Sequence, residues 1–339
     1  MEPSSIERKF TSKTVGVIGV SVKEGQKKTG VEKAPAVFRN CGLIPLFSQL
    51  GLETTDYGDI TTEALDDMIT EQTGCTNEYK YSLQNDVVLG CMNKVLSDMV
   101  YASASKKENV VVLGGDHGLA TGSIHGMKKA YPDLKVIWID AHGDCNTPEI
   151  SPSGNYHGMP VAHLLGWIQK GQVKGFDWFE PCLKAEDIVY IGLRDIDPKE
   201  RELIRNANIK VYTPYDIEIL GGMGKVMDET LAYLKCDKND KTPIHISFDV
   251  DGCDPSFMTA TGTRSRCGLT ERESHTLLRR VAQTGNLVSI DMVEVNPELE
   301  ADPNAIREVL HGDMPTLVGP PTSVYACEFI FSALGNVWL

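Results

Sequence analysis

The chain has 339 residues, 41% of them hydrophobic, and 33 basic against 47 acidic side chains give a formal charge of −14. That balance argues against a nucleic-acid or anionic-membrane partner, either of which needs a basic face, and it suits a cationic substrate. No run approaches the roughly 20 apolar residues needed to cross a bilayer. The opening MEPSSIERKF lacks an apolar signal core, and nine scattered cysteines without a C-x-x-C pair read as reduced thiols, so a cytoplasmic location is the expectation.

Residues 1–13 read as a loose N-terminal segment. The apolar run TVGVIGV (14–20) predicts a strand. A Gly- and Lys-rich stretch follows, read mostly as a flexible surface connection, and leads to a helix near Pro35; the G-x-x-x-x-G-K-[ST] pattern of a phosphate-binding loop is absent. Residues 51–80 are polar and turn-rich and read as a surface excursion. Apolar positions at helical spacing predict an amphipathic helix over 85–104. The continuous apolar run 109–113 predicts a buried parallel strand, closed by Gly114-Gly115-Asp116-His117-Gly118, where the glycines permit a sharp exit.

The next strand, Val136–Ile139, stops at Asp140, and His142 and Asp144 follow at every second position. If the strand direction persists, the three side chains leave one face together. Two readings are open for this stretch: a metal site at the carboxyl end of a buried strand, or an Asx-rich loop whose side chains cap backbone donors. Further on, a helix over 159–170, a strand over 189–193, a helix from Pro198, a strand over 210–213 and a helix over 222–234 continue the alternation. Strand 244–248 then ends in Asp249-Val250-Asp251, and Glu294 closes another apolar run. This alternation predicts an α/β fold: one domain over 1–339, with a central parallel sheet and helices on both faces.

His117, Asp140, His142, Asp144, Asp249 and Asp251 thus all fall after strands. Four carboxylates and two imidazoles are too many for one zinc and too hard for soft metals, whereas two divalent ions sharing carboxylates use them all, Mn²⁺ being the first choice. Two such ions about 4 Å apart lower the pKa of a water between them toward ~7, which implies hydrolysis.

The blocks GGDHG (114–118), DAHGD (140–144), SGNYHG (153–158), GLRDIDP (192–198), SFDVDGCDPSFMTATGT (247–263) and MVEVNP (292–297) resemble those of the ureohydrolase superfamily, and of the arginase family in particular. The resemblance implies an eight-stranded parallel sheet, two Mn²⁺ per chain on the six residues above, and hydrolysis of L-arginine to L-ornithine and urea by a metal-bridging hydroxide. It further implies that Asp144 orients the hydroxide, that His157 passes a proton to the leaving amine, and that Glu294 and Thr263 hold the guanidinium. Asn146, Ser151, Ser153 and Asn155 would meet the α-carboxylate, directly or through water, and Asp197 the α-amino group. Agmatine has no α-carboxylate, so the run NTPEISPSGN favours the amino acid.

The chain departs from the family pattern at Gly118, Gly143 and Cys145, and at Arg264 in place of a proline. One alternative is a ureohydrolase for another guanidino compound such as agmatine; because an inward Arg264 would compete with a cationic substrate, the altered 264–267 loop raises a second, a catalytically weak binding protein. Residues 311–323 read as an atypical loop before a C-terminal helix. Family oligomers imply a possible homotrimer.

Overall fold

The computed structural model describes residues 12–49, 51–65, 70, 85–311 and 314–335; most of the N-terminal segment 1–13 and most of 66–80 therefore lie outside the described residues. Its centre is an eight-stranded sheet in the order β2-β1-β3-β8-β7-β4-β5-β6, every pair parallel. The strands are β1 (Thr14–Ser21), β2 (Glu53–Thr61), β3 (Asn109–Leu113), β4 (Lys135–Ile139), β5 (Ile188–Ile191), β6 (Lys210–Tyr212), β7 (Ile244–Asp249) and β8 (Leu287–Val293).

Strand side chains alternate between two apolar cores. Val111, Leu113, Ile137 and Ile139 pack on one face, under α1 (Ala34–Asn40), α2 (Leu43–Gln49), α8 (Met223–Leu234), α9 (Glu271–Thr284) and α10 (Pro321–Ala333). Val110, Val112, Val136 and Trp138 pack on the other, under α3 (Asn85–Ser105), α4 (Ala120–Ala130), α5 (Pro160–Leu164) and α6 (Pro198–Asn206). A short α7 (Pro214–Ile219) follows β6. No described helix is long and apolar enough to cross a membrane.

Three expectations are corrected. Residues 53–61 are a strand, not a surface excursion: β2 pairs only with β1, so as an edge strand it tolerates an exposed, polar sequence, and Arg39 pins it through Asp56 at 2.8 Å. The helix expected over 159–170 ends at Leu164, because Gly166 takes a left-handed φ of 76° and Trp167 N–H bonds back to Ala162 at 2.8 Å. The 311–323 stretch is largely not a loop: β9 (Arg307–His311) and β10 (Met314–Gly319) form an antiparallel hairpin that buries Leu317 and leads into α10. Helix α9 has its start and stop written locally, with a capping box between Thr270 and Glu273 and a left-handed Gly285 after its last residue.

Candidate metal centre

The sheet order explains why residues distant in sequence meet. Strands β3, β8, β7 and β4 are consecutive neighbours, so their carboxyl ends bring His117, Glu294, Asp249 with Asp251, and the 140–144 segment to one edge. At Gly115 an added Cβ would stand 2.2 Å from the Val22 carbonyl, so the exit from β3 requires glycine there.

The six expected ligands converge. His117 Nδ1 lies 3.2 Å from Asp140 Oδ2, 3.1 Å from Asp144 Oδ2 and 3.3 Å from Asp249 Oδ2; His142 Nδ1 lies 3.4 Å from Asp140 Oδ1 and 3.1 Å from Asp251 Oδ2. Two groups able to hold an ion result, His117-Asp140-Asp249 and Asp140-His142-Asp251, and they share Asp140. The route to this arrangement differs from the expected one. The strand ends at Ile139, and Asp144 is reached through a turn in which it takes a left-handed φ of 47°, not by continued period-two geometry. Glu294 is left-handed as well, at 62°, and such backbone in non-glycine residues gathers at functional sites.

Supporting bonds fix each ligand. His117 Nε2 is 2.8 Å from Ser247 Oγ, an arrangement that leaves Nδ1 to the carboxylates, and the ring stacks on Trp138 at 4.1 Å. Trp138 Nε1–H and the His142 backbone N–H donate to the two oxygens of Asp140, at 3.0 and 2.7 Å. The Asp251 N–H donates to Asp249 at 2.8 Å, and Thr263 Oγ1 donates to Asp251 Oδ2 at 2.7 Å.

The donor set fits divalent cations. His117 Nδ1 is fully buried and without a hydrogen-bond partner, with three carboxylate oxygens aimed at it. Burial, together with Asp251 and Asp140, drives the Asp249 carboxyl well above the usual range. Asp144 is lifted to about 6 by burial and by Asp140. Four buried carboxylates therefore cannot all ionise without compensating positive charge, and hard oxygen donors with imidazole nitrogens suit such ions.

Above the cluster lies a polar cleft of about 200 Å³ lined by His142, Asp144, Asn146, Ser153, His157, Asp197, Asp249 and Thr263, among others. Asn146 Nδ2 donates to Asp197 Oδ2 at 3.1 Å. Ser151 and Asn155 are not among the lining residues: Ser151 Oγ accepts the Gly154 N–H, and Asn155 precedes the short helical turn 156–158. Glu294 sits behind the cleft and is also not among its lining residues. Its Oε1 accepts the His117 N–H and meets His157 Nδ1, both at 3.0 Å, and Oε2 accepts Gln26 Nε2 at 2.7 Å. Burial lowers the His157 imidazole, but the bonded Glu294 carboxylate outweighs it and raises the group to about 9.

Sequence reasoning missed several of these parts. Ser247 stands two residues before Asp249 on one strand face, so period-two geometry could have found it. Glu200, three residues after Asp197 on α6, lines the cleft and accepts the Cys145 N–H at 2.8 Å; burial, with Asp144 and Asp197 adding, pushes it up to about 7. It also accounts for Gly143, where a Cβ would meet the Glu200 carboxyl at 2.7 Å. Gln26 carries no local signal. The loop expected to be a flexible surface connection is instead a wall of the site: Gly25 N–H donates to Asp116 at 2.8 Å and its carbonyl accepts the His157 N–H at 3.0 Å. Arg264 turns outward and donates to the Leu299 carbonyl at 2.8 Å.

A parallel α/β sheet with two carboxylate-histidine groups at its carboxyl edge, sharing one aspartate, is the arrangement of a candidate metal-dependent hydrolase. The arginase family model matches residues 13–333. The chain belongs to the arginase family and is an amidino hydrolase. Bovine Arginase-1 is 42% identical over 301 residues, covering 88% of this chain and 89% of that protein. The crystal structure of arginase from Bacillus subtilis superposes with a TM-score of 0.79 at 35% identity, over 96% of this chain and 100% of that one. Entamoeba histolytica arginase, solved in complex with L-ornithine, superposes at 0.76 with 29% identity, over 96% and 99%.

Proposed function

We propose that the chain hydrolyses L-arginine to L-ornithine and urea, with two manganese ions held by His117, Asp140, His142, Asp144, Asp249 and Asp251. The observation that carries this reading is the pair of ligand groups sharing Asp140 beneath a polar cleft. Bound there, the ions supply a water acidic enough to be deprotonated near neutral pH. The remaining work falls to the chain. Asp144, at the cleft floor, accepts a hydrogen bond from the attacking group and aims it. His157, anchored at Nδ1 by Glu294, keeps Nε2 for proton exchange with the leaving amine.

A guanidinium can be held by carboxylate and hydroxyl together. Glu294 is engaged behind the cleft by His117, His157 and Gln26, so its share in holding the guanidinium rests on the family resemblance. Thr263, whose proton goes to Asp251, offers its oxygen as an acceptor. At the outer end, Asn146 and Ser153 meet the α-carboxylate, with Ser151 and Asn155 reached through water. Asp197 pairs with the α-amino group, and its bond to Asn146 couples the two recognitions.

Turnover of L-arginine and agmatine side by side tests this assignment. Because the outer residues lose their partner when the carboxylate is absent, kcat/KM for arginine is expected to exceed that for agmatine by at least about a hundredfold. Equal turnover, or a preference for agmatine, would remove the α-carboxylate role. We also propose a cytoplasmic homotrimer, as the family resemblance implies; exposed Tyr215 and Ile219 in α7, just after edge strand β6, offer an apolar patch for a contact between copies. Sedimentation should give three times the 37.2 kDa chain mass, and a monomer boundary at all concentrations would exclude it.

A further inference from the structure

The loop that carries Thr263 has two sides. Its inner side meets Asp251 and the metal cluster, while residues 261, 262 and 264 form one wall of a separate cleft of about 800 Å³. Residues 27–29 and 298–299 form the rest. Lys27, Lys28 and Arg264 line this cleft and are exposed to solvent. Lys28 Nζ donates to the Gly262 carbonyl and Arg264 donates to the Leu299 carbonyl, so backbone oxygens hold two of the three cations in position. None of the three makes an ion pair with a described carboxylate, and Glu298, the acidic lining residue, is engaged by Lys33. Three cations without an ion pair to a described carboxylate thus line one cleft that the hydrolytic reaction does not use.

We propose that this cleft binds a phosphate dianion, free or carried by a small phosphate monoester. After their carbonyl bonds, Arg264 and Lys28 keep further N–H donors, Lys27 keeps all of its own, and Thr29 adds a hydroxyl. A tetrahedral dianion has the acceptor oxygens to take several of these charge-assisted bonds at once. A guanidino substrate, being cationic, is repelled from the same place, so this cleft and the polar one above the ligands select ligands of opposite charge. The proposal stands on the cleft alone and does not depend on which guanidino compound is hydrolysed.

Equilibrium dialysis of radiolabelled inorganic phosphate against the manganese-loaded protein at low salt tests it. One saturable phosphate per chain is expected, released as ionic strength rises. The Lys27→Gln/Arg264→Gln variant should bind at least tenfold more weakly while turning over L-arginine as before. A Lys238→Gln/Lys241→Gln variant, which removes the same charge from a distant exposed segment, should bind as the parent does. Glycerol 3-phosphate is added as competitor: displacement assigns the cleft to monoesters, its failure assigns it to free phosphate, and both support the site. Undiminished binding in the Lys27/Arg264 variant would put the phosphate outside this cleft, and an equal loss in the Lys238/Lys241 variant would reduce the effect to general charge. Either result, like non-saturable uptake, overturns the proposal.

Discussion

His117 shows how much of the site depends on a neighbour that is not a ligand. Its Nδ1 points at three carboxylate oxygens because Ser247 takes Nε2 and Trp138 backs the ring. Ser247→Ala should therefore weaken manganese binding by about 10- to 100-fold while leaving the fold intact, measurable by dialysis against graded metal concentrations; unchanged affinity would free His117 from that constraint. Asp144→Asn removes a ligand oxygen and the aiming carboxylate together. Urea release should drop at least about a hundredfold in this variant, and full activity would cancel its assigned role. Arg264 makes the opposite prediction. Since the guanidinium bonds the Leu299 carbonyl on the far side of its loop, Arg264→Pro should leave kcat/KM for L-arginine within about threefold, and a large gain would show that the cation had opposed the substrate. At this scale the ligands were legible because acids and histidines recur together after several strands, at the edge where such sheets bind ligands. Gln26 and Glu200 were not, since each acts through a partner far away in sequence, Glu294 and Cys145 respectively.

Elements buried on both sides were the most legible. Strands β3 and β4 fall within a residue of their expected bounds, because continuous apolar runs between turn residues have one stable setting in such a sheet. Strand β2 and the β9–β10 hairpin escaped because an edge or surface strand satisfies its backbone without an apolar pattern. Helix α5 marks a different limit, its end being set by left-handed Gly166 while its His163 packs in an aromatic cluster. In that cluster His163 packs on Phe179 at 4.5 Å and shares a 2.7 Å hydrogen bond with the Tyr156 hydroxyl, and burial lowers its pKa to about 4. With an unfolded value near 6.5, the unfolded chain takes the proton first as pH falls. The stabilisation from neutral His163 is thus complete above about pH 6.5, is lost on the way down to about 4, and amounts to about 3 kcal/mol. His275, lowered to about 4 by burial with Arg279 and Arg307 adding, acts in the same window. Denaturant titrations between pH 7 and 4 should show His163→Phe losing less stability than the parent. Parallel acid limbs would contradict the linkage.

For the molecule as a whole, charge and topology serve one end. The net charge of −14 favours approach of a cationic substrate, and the parallel sheet collects its acidic residues at one edge. Four adjacent strands supply the ligand cluster and Glu294, while the loop between Asp144 and His157 and the start of α6 supply Asn146, Ser153 and Asp197 to the cleft lining. The proposed hydrolysis depends on a binuclear centre, which would supply the nucleophile. Its most direct test is metal content and urea production measured together on one preparation, metal-stripped and then incubated with Mn²⁺. About two manganese ions per chain, with urea released from L-arginine only in the reloaded protein, is the expected result; turnover no greater than in the metal-stripped control, at full metal occupancy, would contradict it.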